Sequence, residues 1–392
     1  MRFRYEDKAA KTDKKIFSRR TRGRSVRLAF PKESGVAGAL SIRIYTEKEA
    51  LLAYVFRRVW YNNDTESFFR GFRQGETKMS IKKVVVAGGG VLGSQIAFQT
   101  AYCGFDVTVW LRSPSSITRT QPKLDAVRGY YIQAIEKMKE QPDNPAVFAR
   151  GIADRENFDA EECRKKVENA YNSIKIELDL AAAVKDADLV IESMAEEADA
   201  KKTFYKTLAP LLPEKTVLVT NSSTMLPSTF AKFTGCPERY LALHFANEIW
   251  RNNTAEIMGH EGTEPQYFAA VVAFARDIRM IPLELHKEKS GYILNSILVP
   301  MLCAAMDLYA TGVSDPETID KTWVLATGAP AGPFRILDVV GLTTAYNINK
   351  TYLHIPEFIA PYHFKKIDAM LKKYIDEGKT GLSAGEGFYK YR

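Results

Sequence analysis

The 392-residue sequence has few cysteines, and none of them lies close to another along the chain. The four are Cys103, Cys163, Cys236 and Cys303, so no CxxC or CxxH spacing occurs. This wide separation argues against a structural zinc site and against a disulfide scaffold. We therefore expect no metal ion, and we expect the free thiols of a protein in the reducing cytoplasm.

The sequence also lacks an apolar run long enough to span a bilayer. The longest apolar stretch, residues 293–310, is interrupted by Asn295, Ser296, Pro300 and Asp307, which predicts a buried helix instead. The first thirty residues are rich in Arg and Lys but contain no apolar core of a secretory signal. We expect no membrane partner.

The net charge of +8 is concentrated at the start of the chain. Residues 1–78 contain 19 Lys and Arg against 9 Asp and Glu, so the remainder is close to neutral and predicts no nucleic-acid partner. Residues 1–78 show no sustained periodicity, and we interpret them as a basic extension, poorly ordered or not native. It is either a targeting segment or sequence that precedes a native start at Met79, which we favour.

From Met79 onward the pattern predicts an α/β fold. Short apolar strands alternate with helical segments, which is typical of parallel βαβ units; the predicted strands are 82–87, 105–111, 187–191, 216–220 and 240–243. We expect a Rossmann-type doubly wound sheet over residues 79–286, with an inserted helical pair at 121–178. A smaller all-α C-terminal domain is predicted over 287–392, with a long apolar helix at 291–312 and another helix starting at 315–317.

A glycine-rich motif, GGGVLG at residues 88–93, follows the first predicted strand and precedes a predicted helix at 95–102. In the GxGxxG fingerprint Gly88 permits a tight turn, Gly90 lets the backbone approach a pyrophosphate, and Gly93 lets helix and strand pack closely. The helix N-terminus favours the phosphate charge. The motif predicts a nicotinamide dinucleotide site; a glycine turn without function is the alternative.

The second predicted strand bears on the choice of cofactor. NAD sites usually end this strand in Asp or Glu, which accepts hydrogen bonds from the ribose hydroxyls, whereas this chain has Leu111 there, followed by Arg112 and Ser113. A guanidinium and a hydroxyl suit a 2′-phosphate. We predict NADP(H) in preference to NAD(H), with Arg112 as a solvated surface residue the alternative.

His244 is the histidine whose sequence position suggests chemistry, because it closes a predicted strand at the end where open α/β sheets bind ligands. Glu256 lies twelve residues on, in a segment at 253–257 that could be the next edge strand. A carboxylate bound to one imidazole nitrogen would fix the tautomer and raise basicity at the other. Residues 220–224 end another strand at the same rim. His244 is either catalytic or a satisfied structural histidine.

Taken together, the motifs from residue 80 to 392 resemble the 3-hydroxyacyl-CoA dehydrogenase family. The matching features, in chain order, are the glycine motif, Ala195-Glu196, Asn221-Ser222-Ser223, His244-Phe245-x-Asn247, Glu256, Gly291-Tyr292-Ile293-Leu294-Asn295 and the segment TGAPxGPF at 327–334. The resemblance implies interconversion of 3-hydroxyacyl and 3-oxoacyl groups, and a homodimer formed through the C-terminal domain.

The resemblance also implies roles for individual residues. Ser223 would hydrogen-bond the substrate 3-oxygen, His244 would exchange its proton, and Glu256 would orient His244. Asn295 would approach substrate and nicotinamide from the second domain. The cofactor-binding residues implied besides the glycines, Arg112 and Ser113 are Val91, Leu92, Glu196, Lys201 and Asn221.

One departure from the family pattern puts coenzyme A in question. Family members that act on acyl-CoA usually continue His-Phe-Phe-Asn-Pro-Val-Pro, whereas residues 244–250 here read HFANEIW. Asn247 and Trp250 are predicted substrate contacts, with packing the alternative for Trp250. The variant is similar to the branch containing a bacterial diketoreductase, so reduction of free β-keto or β,δ-diketo esters is one alternative. The other is a non-catalytic dinucleotide-binding sensor or structural protein.

Overall fold

The computed structural model describes residues 25–28, 40–43 and 79–391. Contacts divide the chain into two units, Met1–Lys78 and Met79–Arg392. In the first unit, strand β1 (Ser25–Leu28) pairs antiparallel with β2 (Leu40–Arg43). The interpretation of residues 1–78 as an extension falls largely outside the described residues.

The second unit is built on a sheet of eight strands in the order β10-β9-β8-β7-β6-β3-β4-β5. Its strands are β3 (Lys83–Ala87), β4 (Asp106–Trp110), β5 (Lys175–Glu177), β6 (Leu189–Glu192), β7 (Val217–Thr220), β8 (Tyr240–Phe245), β9 (Thr254–Met258) and β10 (Ile281–Leu285). The central strands β6, β7 and β8 are buried along their whole length, as parallel strands covered on both faces must be. From β3 the chain adds β4 and β5 on one side, and it then crosses back to add β6 on the other side of β3. This confirms the predicted doubly wound topology.

Two features of the sheet differ from the sequence prediction. The segment after His244 forms β9, but it is not an edge, because β10 pairs in parallel beyond it. At the other side β5 forms the outermost strand. Both outer strands are partly exposed, so neither has the continuous apolar run that marks a buried strand. Strand β9 runs antiparallel to β8 because eight connecting residues are too few for a crossover helix.

The helices of the Rossmann domain flank this sheet. They are α1 (Val91–Tyr102), α2 (Pro114–Glu140), α3 (Ala160–Ser173), α4 (Leu180–Val184), α5 (Ala198–Leu208), α6 (Pro227–Phe230) and α7 (Pro265–Asp277). Helices α2 and α3 are the predicted inserted pair. Helix α2 begins at Pro114, directly after β4, and α1 begins at Val91, directly after the glycine turn. Both helices therefore start earlier than the apolar periodicity indicated.

The C-terminal part is built mainly of helices, as predicted, and isolated antiparallel bridges join Glu386 to Gly381 and Lys390 near its end. Its helices are α8 (Leu294–Ala310), α9 (Pro316–Thr327), α10 (Pro333–Val340), α11 (Leu342–Lys350) and α12 (Phe364–Asp376). Asp315 caps α9 by accepting the Thr318 N–H, as the sequence indicated. Helix α8 begins at Leu294 and not at residue 291, because Gly291 (φ 80°) and Tyr292 (φ 54°) are left-handed. Among residues 79–391, no helix combines the length and apolar character needed to cross a membrane.

Candidate active site

The three motif glycines between β3 and α1 differ in backbone conformation and in the space around them. Gly88 has φ 121°, and a Cβ there would lie 2.4 Å from the Ser193 carbonyl oxygen. A Cβ on Gly93 would lie 2.1 Å from the Gly88 carbonyl oxygen, so helix and turn touch backbone to backbone. A Cβ on Gly90 would meet none of the described residues within 4 Å. The turn therefore leaves open space at the one position where a pyrophosphate would approach the backbone.

A cluster of hydroxyl and guanidinium groups lies at the end of β4, beside this turn. Leu111 is buried against the turn, whereas Arg112 is exposed. Ser113 precedes α2, and its Oγ lies 3.0 and 3.1 Å from the hydroxyls of Ser115 and Ser116. The Arg119 guanidinium donates to Ser116 Oγ at 3.1 Å. No carboxylate occurs in residues 111–120.

His244 and Glu256 form a buried pair. They face each other in the register of β8 and β9, and His244 Nδ1 lies 3.0 Å from Glu256 Oε2. The two residues are 6% and 3% exposed. A hydrogen bond from Nδ1 to the carboxylate leaves Nε2 as the basic nitrogen, and no described residue hydrogen-bonds Nε2. The imidazole can therefore exchange a proton with a substrate at Nε2.

The second oxygen of Glu256 binds the start of the helical domain. The N–H groups of Ile293 and Leu294 both donate to Oε1 at 2.9 Å. Burial by itself raises the pKa of Glu256, but the hydrogen bonds from His244 and from these two backbone N–H groups outweigh it and lower the pKa below the ordinary value. Glu256 is therefore a carboxylate at neutral pH and can balance a positive charge on the imidazole.

The loop after β7 carries Ser223 to the same edge of the sheet. Asn221 accepts the Phe245 N–H on its side-chain oxygen at 3.1 Å, which ties this loop to β8 one residue beyond His244. Glu196 accepts the N–H groups of Ser223 and Thr224 on one oxygen, both at 3.0 Å. The described residues offer the Ser223 hydroxyl no hydrogen bond, which leaves it available to a ligand.

Glu196 is itself held by a deeply buried ion pair. Lys201 Nζ lies 2.7 Å from Glu192 and 3.4 Å from Glu196, and Lys201 is only 1% exposed. Burial by itself raises the pKa of Glu196, but hydrogen bonds from Ser222 and Thr224 and the charge of Lys201 lower it overall. The ammonium of Lys201 already contacts two carboxylates, so the structure gives it a supporting position. Its contact with the cofactor stays a prediction.

The remaining predicted residues differ in where they lie. Asn295 is half-buried in the first turn of α8, one residue after the two N–H groups that bind Glu256. Asn247 is exposed in the loop after β8. Trp250 is 5% exposed and packs against Tyr130 and Tyr131 of α2, with ring centroids 5.6 and 5.5 Å away. These contacts match the packing alternative raised for Trp250, and its contact with the substrate stays a prediction.

Sequence reasoning gave no role to three side chains that hold this site together. Glu192 ends an otherwise apolar strand, and a carboxylate in that position could have signalled a buried partner. Tyr292 stacks on His244. Gln95 of α1 accepts the Glu248 N–H at 2.8 Å and so anchors the loop after β8, for which the sequence carries no signal.

The glycine turn and His244 lie at the carboxyl ends of the parallel strands β3 and β8 of one sheet, and Glu256 reaches His244 from the antiparallel strand β9, an arrangement that fits a dinucleotide-dependent oxidoreductase. Sequence comparison specifies the class further. The model described as "3-hydroxyacyl-CoA dehydrogenase, NAD binding domain" matches residues 83–289, and that described as "3-hydroxyacyl-CoA dehydrogenase, C-terminal domain" matches residues 291–391. The chain belongs to the 3-hydroxyacyl-CoA dehydrogenase family.

Individual relatives agree with this assignment. The chain is 28% identical to human mitochondrial hydroxyacyl-coenzyme A dehydrogenase over 84% of its own length and 99% of the relative. It is 29% identical to a probable 3-hydroxybutyryl-CoA dehydrogenase of Bacillus subtilis, covering 80% and 98%. The solved structure of a diketoreductase that acts on dicarbonyl compounds is 46% identical, covers 80% of this chain and 99% of its own, and superimposes with a TM-score of 0.65.

Proposed function

We propose that the protein interconverts 3-hydroxyacyl and 3-oxoacyl compounds with a nicotinamide cofactor, using His244 as general acid and base. The observation that carries this proposal is the buried pair of His244 with Glu256, whose free Nε2 lies at the carboxyl edge of the sheet. The glycine turn lies at the same edge. The family to which the chain belongs supports this chemistry.

Each side chain of the proposed active site has its own role in the reaction. In oxidation His244 Nε2 takes the proton of the 3-hydroxyl group, and the Glu256 carboxylate stabilises the imidazolium that results. The Ser223 hydroxyl donates to the 3-oxygen as carbonyl character develops, and Asn295 contacts the substrate from the helical domain. A nicotinamide cofactor held at the glycine turn by Gly88, Gly90 and Gly93 would supply the acceptor for the hydride of C3. In reduction His244 returns its proton to the 3-oxygen.

The residues around the glycine turn fit a dinucleotide. The open space at Gly90 would admit a pyrophosphate to the start of α1, where Val91 and Leu92 follow in the chain. We propose NADP(H) as the preferred form because Arg112 and Ser113 replace the usual acidic residue, and Arg119 adds a second guanidinium to the same rim. Asn221 and Glu196 would reach the nicotinamide half from the loops after β7 and β6.

The substrate has two candidate forms, a coenzyme A thioester and a free ester. The family assignment favours a 3-hydroxyacyl-CoA. The 46% identity to a diketoreductase, against 28–29% to CoA dehydrogenases, favours a free β-keto or β,δ-diketo ester as the second candidate. The altered sequence after His244 supports the same candidate, because it lacks the prolines of the CoA-specific pattern.

A single assay tests the function and separates these substrates. Oxidation of NADPH and of NADH is followed in parallel with acetoacetyl-CoA and with an acetoacetate ester. We expect turnover that falls roughly 10²- to 10⁴-fold in His244→Ala, while the control His354→Ala, at an exposed histidine, keeps wild-type activity. Turnover that survives in His244→Ala would overturn the mechanism. Cofactor binding without turnover of any 3-oxo compound would instead support a non-catalytic sensor.

We further propose that the protein is a cytoplasmic homodimer that associates through the helical domain. Several large apolar side chains of this domain are exposed, with exposed fractions of 67% for Ile297, 75% for Leu325 and 65% for Val339. Exposed apolar surface of this kind is typical of subunit interfaces. The four cysteines are free, as in a cytoplasmic protein. Light scattering after size-exclusion chromatography should give twice the chain mass, and Leu325→Glu should shift it toward the monomer.

A further inference from the structure

The aromatic ring of Tyr292 lies flat on the imidazole of His244. The ring centroids are 4.5 Å apart and the planes differ by 16°. Tyr292 is 1% exposed, and it belongs to the short segment that leads from the Rossmann domain into α8. The stack therefore covers one face of the proposed general base with a residue of the segment that starts the second domain.

The backbone of Tyr292 is strained in order to place the ring there. Its φ of 54° follows the φ of 80° at Gly291, and a bulky residue in the left-handed region is an energetic outlier that surrounding contacts must maintain. Strain of this kind is concentrated at functional sites. The contacts that maintain it here are the stack on His244 and the hydrogen bond of the phenol.

The phenol hydroxyl of Tyr292 reaches the loop that carries the second reacting side chain. It donates to the backbone carbonyl oxygen of Ser222 at 2.8 Å, in a buried hydrogen bond. Ser222 precedes Ser223, whose hydroxyl is proposed to bind the substrate 3-oxygen. The same tyrosine thus contacts the ring of His244 and the backbone next to Ser223.

The hydrogen bond to Glu256 does not by itself fix the orientation of the His244 ring, which matters for catalysis. It fixes the imidazole at one edge atom, Nδ1, and a ring held at one atom can still tilt about that contact. A parallel ring at stacking distance restricts the tilt, and its electron-rich face favours the imidazolium that forms when Nε2 takes a proton. Precise direction is valuable here because misplacing a catalytic group by about 1 Å can cost 10²-fold in rate.

We infer that Tyr292 is a positioning residue that holds His244 by its ring face and the Ser223 loop by its hydroxyl, so that Nε2 and the Ser223 hydroxyl address one substrate oxygen. The inference rests on the proposed function of His244. It adds a direct link between the first residues of the helical domain and the two groups that handle the proton. A residue that only filled space would affect stability and leave the rate constant unchanged.

Two substitutions separate the ring from the hydroxyl. Tyr292→Phe keeps the stack and removes the bond to Ser222, and we expect kcat to fall about 3- to 10-fold, the range of one hydrogen bond. Tyr292→Leu removes both, and we expect kcat to fall about 10²-fold with little change in the Kd of the cofactor. The control is Tyr102→Phe, because Tyr102 is also buried and donates to a backbone carbonyl, that of Ile152, at 3.2 Å. Its kcat should equal that of the wild type.

A spectroscopic measurement tests the stack independently of turnover. In protein labelled with ¹³C at the histidine ring, the signal of His244 is assigned by its loss in His244→Asn. The parallel tyrosine ring should shift this signal upfield, the shift should persist in Tyr292→Phe, and it should vanish in Tyr292→Leu.

Three results would overturn the inference. The first is a folded Tyr292→Leu enzyme with wild-type kcat, and the second is a His244 signal that does not move in that variant. The third is a Tyr292→Phe enzyme as slow as Tyr292→Leu, because the hydroxyl would then account for the whole effect. Failure of the proposed function looks different, since His244→Ala would then remain active. If Tyr292→Leu does not fold, a Tyr292→Phe enzyme with wild-type kcat, or one whose His244 signal moves from its wild-type position, would overturn the inference.

Discussion

His244 and Glu256 face each other across the antiparallel strands β8 and β9, with Nδ1 3.0 Å from Oε2. The strand register alone brings these two side chains together. The other carboxylate oxygen accepts the N–H groups of Ile293 and Leu294, so the pair is completed only where the helical domain begins. The orientation of the proposed base therefore depends on the contact between the two domains.

Replacing the Glu256 carboxylate by an amide should separate the effect of its charge from the effect of its size. Glu256→Gln keeps the size of the side chain but cannot balance a positive charge on His244, so we expect kcat to fall about 10²-fold while the cofactor Kd is unchanged. Steady-state kinetics and cofactor titration measure the two effects. A variant whose KM rises while kcat stays at the wild-type value would show that Glu256 shapes the binding site instead.

The lowered pKa of Glu256 also predicts how stability depends on pH. A carboxyl whose folded pKa lies below its ordinary value of 4.5 stabilises the folded state above that pH, and the contribution is lost as pH falls through the folded pKa. We expect the difference in free energy of unfolding between wild type and Glu256→Gln to shrink as the pH falls below about 4.5. Urea unfolding at a series of pH values measures it. A difference that grows as the pH falls below 4.5 would contradict the assigned direction.

The second and third glycines of the GxGxxG motif, Gly90 and Gly93, offer a matched pair of alanine substitutions. Gly90→Ala places a methyl group in open space at φ −68°, so we expect the Tm of the wild type but a cofactor Kd raised about 10-fold or more. Gly93→Ala places the methyl group 2.1 Å from the Gly88 carbonyl oxygen, which forces the backbone to shift. It should lower both Tm and cofactor affinity. Equal cofactor affinity in Gly90→Ala and wild type would argue against a dinucleotide at this turn.

Much of this site could be predicted from the sequence because its signals are local. The glycine turn and the strand that ends near His244 depend on spacing and apolar runs within short windows. A contact between Glu256 and His244 was expected from the next predicted strand and from the family resemblance, and the antiparallel register of β8 and β9 is what brings the two side chains together. Strand β10 was missed because a partly exposed strand that contains Pro282 has no continuous apolar pattern.

The supporting side chains could not be predicted because their partners are distant in sequence. Tyr292 reaches Ser222 and His244 across 70 and 48 positions, and only the folded chain brings them together. The burial of Trp250 under α2 likewise depends on how the chain turns after β8, which the local sequence does not specify.

Cofactor choice should depend on one exposed guanidinium. If Arg112 binds a 2′-phosphate, then Arg112→Ala removes a charge-assisted hydrogen bond of about 1.5–3 kcal/mol and raises the KM for NADPH roughly 10-fold or more, with little effect on NADH. Initial rates with both cofactors measure this. The control is Arg155→Ala, an exposed arginine that pairs with Asp143 in the inserted segment and should change neither KM. Wild-type enzyme that uses NADH as well as NADPH would remove the basis for the preference.

Replacing only one partner of the buried ion pair between Lys201 and Glu192 should strongly lower the stability of the protein. Glu192 is fully buried and also accepts hydrogen bonds from Tyr205 and Thr220, at 2.9 and 2.7 Å, so Lys201→Met leaves a buried carboxylate without its cation. We expect a loss of about 3–5 kcal/mol in the free energy of unfolding.

The double variant Lys201→Met/Glu192→Gln provides the comparison for that loss. An uncharged amide needs no cation and can still accept hydrogen bonds from Tyr205 and Thr220, so the double variant should recover part of the lost stability. It should not recover kcat, because Glu196 would still lack the lysine that lies 3.4 Å from it, and Glu196 holds the backbone of Ser223. Urea unfolding and steady-state kinetics on the same three proteins measure both effects. Recovery of kcat together with stability would show that the lysine supports the fold alone and does not position the Ser223 loop.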